Sequence, residues 1–263
     1  MLSSLTTITK RIKIGQIVTC NSYRNPSLLA KILSTLDVIS HGRSELGIGA
    51  GWYRPEYEAY GYDFPSHTTR ISQLDEALTI IKAMWSSEGS ASFEGKYYRI
   101  IDAICNPKPI QKPHPIIMIG GSGEKYLLKV AAKHADRYNL FFGTPSEMKR
   151  KISILKEYCN SLESSGGRIN HHKDIQYSVV LPCIVRDSEE EVNEIIVQYK
   201  RKDKTVKQYL KDLVGGITIG VPEKILKGIN KYLDLGVTHF IFQFIGLDEN
   251  SLKLFYSKVI RKV

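Results

Sequence analysis

Two patterns of apolar residues alternate along the chain and predict its secondary structure. Short runs rich in isoleucine and valine are typical of buried strands, and longer segments with apolar residues three and four positions apart are typical of amphipathic helices. The predicted strands are residues 11–19, 45–50, 116–119, 137–142, 175–185 and 239–245. A predicted helix follows each of these strands. Six strand-then-helix units in a row predict a parallel sheet covered by helices.

The segments between these units are of uneven length. Residues 51–66 form a long irregular stretch, and residues 93–101 form a small excursion that turns at Gly95. We expect the proline-rich residues 106–115 to be extended, because a residue before proline avoids the helical region. Residues 200–218 predict a helical insertion. No linker rich in serine, glycine and proline interrupts the alternation, so we predict one domain over residues 1–263, either a doubly wound sheet or a (β/α) barrel.

The formal net charge of +10 favours an anionic partner. The densest basic stretch, residues 200–211, is expected to be a solvated helical face or loop, with nucleic acid or an acidic ligand tail as the alternative. No nucleic-acid-binding motif accompanies this stretch, so nucleic acid is not predicted as a partner. No apolar run approaches the roughly 18 residues of a membrane-spanning helix, so no membrane association is predicted either.

The cysteines and histidines show no spacing that is typical of a metal site. The four cysteines are far apart: Cys20, Cys105, Cys159 and Cys183. They indicate reduced thiols rather than a disulfide framework, which favours the cytoplasm. No nucleophile elbow predicts Ser/His/Asp hydrolysis. We therefore predict a cytoplasmic protein without a bound metal.

The strongest local signal is Gly120-Gly121-Ser122-Gly123, at the end of a predicted strand. A helix that begins directly after these residues would direct free backbone N–H groups and the positive end of its dipole at one point, which suits a phosphate group. A glycine-rich turn that binds nothing fits as well, because the motif is neither a Walker loop nor a dinucleotide fingerprint.

Two further segments follow predicted strands, where barrels and open sheets bind their ligands. The small residues of segment 47–52 would let a flat ring come close, or would permit tight packing against a neighbouring strand. The polar residues of segment 19–24 could bind the edge of a heterocycle or be ordinary loop residues. Glu56 and Arg70 are the ionisable residues of interest nearby, although a lone glutamate in a loop is more often solvated than catalytic.

Taken together, these segments resemble the luciferase-like monooxygenase superfamily, and most closely its deazaflavin-dependent branch. The resemblance covers most of residues 5–140 and is carried by DVIS-x-GR-x-ELGIGAGW and KPHPIIMIGGSG. Beyond about residue 145 it is architectural only. It implies a (β/α)8 TIM barrel in which residues 11–19 are the third strand. The chain would then hold strands three to eight and lack strands one and two, with Met1 an internal methionine. Two exposed sheet edges would make such a chain prone to aggregate or to pair with another chain.

The resemblance also implies a cofactor site at the carboxyl-terminal mouth of the barrel. In this family a bulge in the third strand, often with a non-proline cis peptide, lies behind the cofactor ring, and the bond expected to be cis here is Ile17–Val18. The glycine motif matches the phosphate site of the family, and Glu56 is a nearby acid and a weak catalytic candidate. No other catalytic residue is implied. The cofactor-binding residues implied are Ile17, Val18, Thr19, Cys20, Gly49, Gly51, Trp52, Gly120, Gly121, Ser122 and Gly123.

The implied activity is hydride transfer between a deazaflavin, coenzyme F420, and a small organic substrate. An FMN-dependent monooxygenase of the same fold is the alternative, and the sequence separates the two weakly, although the GAGW and NPKPIQKPHP segments favour the deazaflavin. A third hypothesis is a non-enzymatic or inactive fragment that binds a phosphorylated ligand or a partner chain. Members of the family commonly pair, which implies a homodimer.

Overall fold

The computed structural model describes residues 1–164 and 175–263, which divide into two compact units. The first unit comprises Met1–Tyr138 and the described part of Ile154–Ile175, and the second comprises Asn139–Ser153 and Gln176–Val263. Each unit combines parallel strands with helices, which confirms the predicted α/β class. The single domain predicted from the sequence stays a prediction.

The strands of the first unit form a parallel sheet and a separate hairpin. In chain order they are β1 (Ile14–Gly15), β2 (Thr19–Cys20), β3 (Ser44–Gly49), β4 (Ser90–Glu94), β5 (Arg99–Ile104) and β6 (Ile117–Gly120). Strands β1 and β2 both pair with β3, and β3 pairs with β6, all in parallel. Strands β4 and β5 pair in antiparallel fashion, and the backbone N–H groups at their turn donate to the carboxylate of Glu76. The excursion predicted around Gly95 is therefore a β-hairpin.

The predicted strand 11–19 is divided into β1 and β2 by a bulge. Gly15 pairs with Glu45, whereas Thr19 pairs with Ile48, so four steps along this strand correspond to three steps along β3. One extra residue therefore lies between the two paired stretches, as in a β-bulge. The bulge that the resemblance implied for this strand is confirmed.

The helices of the first unit cover its sheet with apolar side chains. They are α1 (Leu2–Ile8), α2 (Pro26–Ile39), α3 (Arg54–Ala59), α4 (His67–Ser86) and α5 (Leu127–His134), and α6 (Pro145–Ser164) contributes residues to both units. The side chain of Asn25 caps α2, and that of Ser66 caps α4, each by accepting a backbone N–H of the first turn. The buried residues of α4 include Leu74, Leu78 and Ile81, which lie at the predicted spacing.

Two segments predicted without regular structure differ in outcome. Residues 51–66 contain the short helix α3, which begins next to Pro55, so the prediction of a wholly irregular stretch was wrong. Residues 106–115 contain no helix, but bends interrupt the stretch, so the prediction of an extended segment was wrong in part. The buried carboxylate of Asp37 holds this second segment by accepting the backbone N–H groups of Ile110 and Gln111, at 2.8 and 3.0 Å.

The second unit is built around a long buried strand. Its strands are β8 (Gln176–Val185), β9 (Ile219–Gly220) and β10 (Val237–Phe244), and β7 (Arg137–Phe141) contributes residues to both units. Strands β9 and β10 both pair with β8 in parallel. The helices that begin in this unit after α6 are α7 (Glu189–Tyr199), α8 (Val206–Asp212), α9 (Pro222–Leu233) and α10 (Glu249–Lys258). Helix α8 lies within the predicted helical insertion and begins with a capping box formed by Thr205 and Gln208.

None of the helices in the described residues is both long enough and apolar enough to cross a membrane.

Candidate functional site

The structure places three of the predicted segments at one edge of the first unit's sheet. Cys20 of β2 pairs with Gly49 of β3, and Ile48 of β3 pairs with Ile119 of β6, so the carboxyl ends of these parallel strands meet. The glycine motif that begins at Gly120 follows directly. This edge is where parallel α/β proteins bind their ligands.

The bulge between β1 and β2 carries the expected cis bond. The peptide between Ile17 and Val18 is cis, as the resemblance implied. Ile17 is partly exposed, and Val18 packs against the two neighbouring strand ends. Thr19 is buried, and its hydroxyl accepts a hydrogen bond from the Arg24 guanidinium at 3.2 Å.

Close packing within the protein accounts for the glycines at the strand ends. A Cβ atom at Gly49 would lie 3.0 Å from a methyl carbon of Val18 and 3.1 Å from the Gly120 carbonyl oxygen. A Cβ atom at Gly120 would lie 2.9 Å from the other methyl carbon of Val18. Tight packing was one of the two explanations that the sequence left open for segment 47–52, and it suffices for Gly49. The same packing also explains Gly120.

A buried tyrosine that the sequence analysis did not single out joins two of the strand ends. Tyr57 of α3 has no exposed surface, and its hydroxyl lies 2.9 Å from Sγ of Cys20 and 3.0 Å from Oγ of Ser22. Burial and the contact with Cys20 raise the pKa of Tyr57 to about 12, so the phenol is neutral near pH 7. The short helix that carries Tyr57 was not predicted, and for that reason this residue was not predicted to face Cys20.

The turn after β3 places Gly51 and Trp52 in different surroundings. Gly51 has φ = +80°, a conformation that favours glycine, and its carbonyl oxygen accepts a hydrogen bond from the buried Arg70 guanidinium at 3.2 Å. Arg70 also lies over the Phe64 ring, 3.9 Å from its centroid, so it holds this turn in place. The Trp52 side chain is 81% exposed and lies beside Tyr53.

The weak catalytic candidate Glu56 lies on the exposed side of α3. Its carboxylate accepts a hydrogen bond from the Tyr23 hydroxyl at 2.7 Å. Burial and this hydrogen bond raise the pKa of Tyr23 well above its usual value, so Tyr23 stays a donor. Glu56 was predicted in a loop, and that prediction was wrong because α3 includes it.

A helix was predicted to begin directly after the glycine motif, and this prediction was wrong. Residues 124–126 form a turn, and α5 begins at Leu127. The free N–H groups of the first helical turn are therefore separated from the motif, so the backbone of residues 120–123 itself would have to bind a phosphate. Tyr138 stabilises this loop by donating its hydroxyl proton to the Gly121 carbonyl, at 2.8 Å.

The four residues of the motif have unequal room for a side chain. Gly121 has φ = +145°, and a Cβ atom there would lie 2.4 Å from Cδ2 of Leu127. A Cβ atom at Gly123 would meet only ordinary contacts, 3.4 Å from Cβ of Leu127 and 3.8 Å from Nε2 of His67, at the start of α4. Ser122 is exposed. Gly123 thus lies beside His67, a neighbour that sequence spacing could not reveal.

The family model of the luciferase-like monooxygenases matches residues 1–239 of this chain. The chain belongs to this family. The predicted superfamily is thereby confirmed, and with it the luciferase-like α/β fold.

Curated relatives of this luciferase-like protein include enzymes of two cofactor types. The FMNH2-dependent dimethylsulfone monooxygenase of Pseudomonas putida is 28% identical over 174 residues, which are 66% of this chain and 45% of that enzyme. The F420-dependent glucose-6-phosphate dehydrogenase of Kineococcus radiotolerans is 28% identical over 262 residues, which are 92% of this chain and 75% of that enzyme. The chain thus spans less than half the length of the first relative and three quarters of the second.

A solved structure shares the fold of this luciferase-like chain. The coenzyme F420-dependent tetrahydromethanopterin reductase of Methanopyrus kandleri superimposes with a TM-score of 0.80 at 20% identity and covers 99% of this chain and 86% of its own. The two curated relatives support the predicted oxidoreductase class, and both cofactors that the resemblance implied occur between them.

Proposed function

We propose that this chain carries the cofactor-binding part of a luciferase-like oxidoreductase that transfers hydride between the deazaflavin F420 and a small organic substrate. The observation that carries the proposal is the meeting of the ends of β2, β3 and β6 at one edge, in a chain that the family model matches over residues 1–239. These ends hold the segments on which the resemblance rests.

The described residues suit such a cofactor at its ring and at its phosphate. The bulge over residues 17–20 would lie behind the ring, with Gly49, Gly51 and Trp52 facing it. The loop of residues 120–123 would bind the phosphate through backbone N–H groups and the Ser122 hydroxyl. When bound, a deazaflavin supplies two-electron hydride chemistry, and the protein orients the ring and excludes water.

Hydride transfer to or from an alcohol also needs a group that transfers a proton. Glu56 is an acid that the resemblance places near the ring, and Tyr23 orients it through a hydrogen bond of 2.7 Å. We propose that Glu56 transfers the proton and that the neighbouring Tyr23 hydroxyl holds its carboxylate in place.

FMN-dependent monooxygenation is the second candidate, because one relative is a monooxygenase that depends on FMNH2. The two candidates differ in their need for oxygen.

The experiment that separates the two candidates incubates purified protein under nitrogen with oxidised F420 and a panel of small alcohols and aldehydes. A parallel incubation contains the protein with reduced FMN, oxygen and the same panel. Bleaching of F420 absorbance without oxygen supports the first candidate, and turnover that requires FMN and oxygen supports the second. Turnover in neither reaction would contradict both and favour a non-enzymatic protein.

Three finer predictions accompany this proposal. We propose the strand assignment of the resemblance, strands three to eight of a (β/α)8 barrel, and a location in the cytoplasm.

We also propose a homodimer, supported by an apolar stripe on the outer face of α2, where Leu28, Ile32 and Ile39 are exposed at helical spacing. Light scattering should show a dimer for the wild type and a monomer for Ile32→Glu; a wild-type monomer would contradict the pairing.

A further inference from the structure

We propose that Tyr57 is a positioning residue whose hydroxyl holds the carboxyl end of β2 against the turn that follows β3. The contacts that carry this inference lie within the first unit. Its consequence for a cofactor rests on the proposed function, because the strand end that Tyr57 holds is the one proposed to lie behind the ring.

The Tyr57 hydroxyl contacts three residues from two separate stretches of the chain. It lies 2.9 Å from Sγ of Cys20 at the end of β2 and 3.0 Å from Oγ of Ser22 in the following turn. It also lies 3.4 Å from the carbonyl oxygen of Ala50, just after β3. A hydroxyl has one proton and two lone pairs. It can therefore donate to the Ala50 carbonyl while it accepts from the Cys20 thiol, and in that arrangement it joins both strand ends.

The space around this hydroxyl shows that Gly51 and Tyr57 depend on each other. A Cβ atom at Gly51 would lie 2.0 Å from the Tyr57 hydroxyl oxygen and 2.6 Å from Sγ of Cys20. A residue with a side chain at position 51 would displace the hydroxyl from the position in which it contacts Cys20. Gly51, which the resemblance assigned to the cofactor, thus has a second role in making room for this contact.

The Tyr57 ring is anchored so that its hydroxyl cannot easily move away. The ring packs edge-on against Tyr23 and Phe64, with centroids 4.9 and 4.8 Å away. Such aromatic pairs contribute to stability beyond the area that they bury. Removal of the hydroxyl alone should leave these ring contacts in place and release only Cys20, Ser22 and Ala50.

The reactivity of Cys20 offers a direct readout. Cys20 is partly exposed, whereas Cys105, Cys159 and Cys183 are buried. A small disulfide reagent should therefore modify Cys20 first in the native protein. The hydrogen bond with Tyr57 restrains this thiol, so the loss of the bond should speed its modification.

The test compares Tyr57→Phe with Tyr60→Phe, which removes a hydroxyl from an exposed tyrosine of the same segment. We expect Tyr57→Phe to raise the modification rate of Cys20, located by peptide mass, about fivefold, the factor that corresponds to one neutral hydrogen bond. Tyr60→Phe should leave the rate unchanged. An unchanged rate in Tyr57→Phe, or an equal rise at all four cysteines, would overturn the positioning role, because the second result indicates general unfolding.

A second set of variants covers the case in which Tyr57→Phe does not fold. Ser22→Ala removes one partner of the hydroxyl from a partly buried position and should also raise the rate at Cys20. For cofactor binding, Cys20→Val removes the hydrogen-bonding atom that Cys20→Ser keeps, so the two variants should differ in the visible circular dichroism of bound FMN or F420. Equal spectra for Cys20→Ser and Cys20→Val would contradict the role of this bond at the ring.

Failure of the proposed function would be recognised separately. If the wild type binds neither FMN nor F420, the proposed function fails, while the rates at Cys20 still decide whether Tyr57 holds the strand end.

Discussion

At the scale of single residues, close contacts between backbone atoms restrict several positions near the proposed site to glycine. The clearest case is Gly47 in the middle of β3. A Cβ atom there would lie 1.8 Å from the carbonyl oxygen of Gln16, which belongs to the bulge between β1 and β2. The bulge can lie beside β3 only because this side chain is missing.

Gly47→Ala should therefore destabilise the protein whether or not a cofactor binds. The bulge would have to move, and we expect a loss of about 3 kcal/mol or more in the free energy of unfolding. Gly89→Ala is the matched control, because a Cβ atom at Gly89 has no neighbour within 4 Å. Urea unfolding measures both variants. Equal stability of the two would show that the contact between Gly47 and Gln16 does not constrain the fold.

Glu56 and Glu58 give a matched pair of carboxylates on the same short helix. Glu56 accepts a hydrogen bond from Tyr23, whereas Glu58 pairs with Arg54 at the surface, at 3.4 Å. If Glu56 transfers the proton, Glu56→Gln should lower kcat by about a hundredfold or more, at the lower end of the contribution of a general base, and Glu58→Gln should leave it unchanged. Steady-state kinetics with the preferred cofactor gives the comparison, and equal kcat values for the two variants would remove Glu56 from the mechanism.

The sequence predicted which residues lie at the strand ends, but it did not predict all of their structural roles. Small residues suit both a flat ligand and a close-packed neighbour, so glycine alone could not decide between the two at Gly49 and Gly120. The contact between Tyr57 and Cys20 joins residues 37 positions apart through a short helix without a strong periodic pattern. Only the folded structure shows such a contact.

At the scale of elements, a polar cluster around the buried His134 joins α4 to α5. Nε2 of His134 lies 2.6 Å from a carboxylate oxygen of Asp75, and Lys133 lies 2.9 Å from the same oxygen. Burial lowers the pKa of His134 below its usual value, in spite of the nearby carboxylate. Burial alone would raise the pKa of Asp75, but hydrogen bonds from His134 and Lys133 outweigh it and lower this pKa to about 2.

These two pKa values predict how stability depends on pH. The folded state favours neutral His134, so its contribution is complete above the unfolded pKa of about 6.5 and is lost as the pH falls through the lower folded value. The contribution of Asp75 is complete above 3.8 and is lost as the pH falls towards 2. We expect the free energy of unfolding to decrease from pH 7 to pH 5 because of His134.

His134→Gln should flatten this decrease, because glutamine can still donate to Asp75 but does not titrate. His67→Gln, at an exposed position, should leave it unchanged. Urea unfolding at several pH values gives the slopes. The same slope for the wild type and His134→Gln would show that another group causes the pH dependence.

The elements that the sequence predicted well are the long ones with a clear period. Helix α4 and strand β8 were found because many apolar residues repeat in each. Strand β9 has two residues, which is too few for a hydrophobic pattern. The buried side of α2 is one that apolar spacing alone does not determine: Leu29, Leu33 and Leu36 are buried, whereas Leu28, Ile32 and Ile39 are exposed, because the packing of neighbouring elements determines which side of a broadly apolar helix is covered.

At the scale of the whole molecule, the membership in the luciferase-like family rests on a match that extends through both units. The matched residues, 1–239, include every segment of the proposed cofactor site. The resemblance seen in the sequence weakened beyond about residue 145, where motifs give way to apolar strands and helices that many α/β proteins share. Function was therefore predicted from the first unit, in which the motifs lie.

The central claim is that the loop of residues 120–123 binds the phosphate of a flavin-type cofactor. Fluorescence titration with oxidised F420, and in parallel with FMN, compares the wild type with Gly123→Asp and Gly123→Asn. Position 123 has room for a side chain, and the two variants differ in charge but hardly in size. We expect saturable micromolar binding by the wild type, and binding at least about tenfold weaker in Gly123→Asp than in Gly123→Asn, because a carboxylate repels a phosphate. Equal binding by the two variants, or no binding of either cofactor by the wild type, would contradict the account.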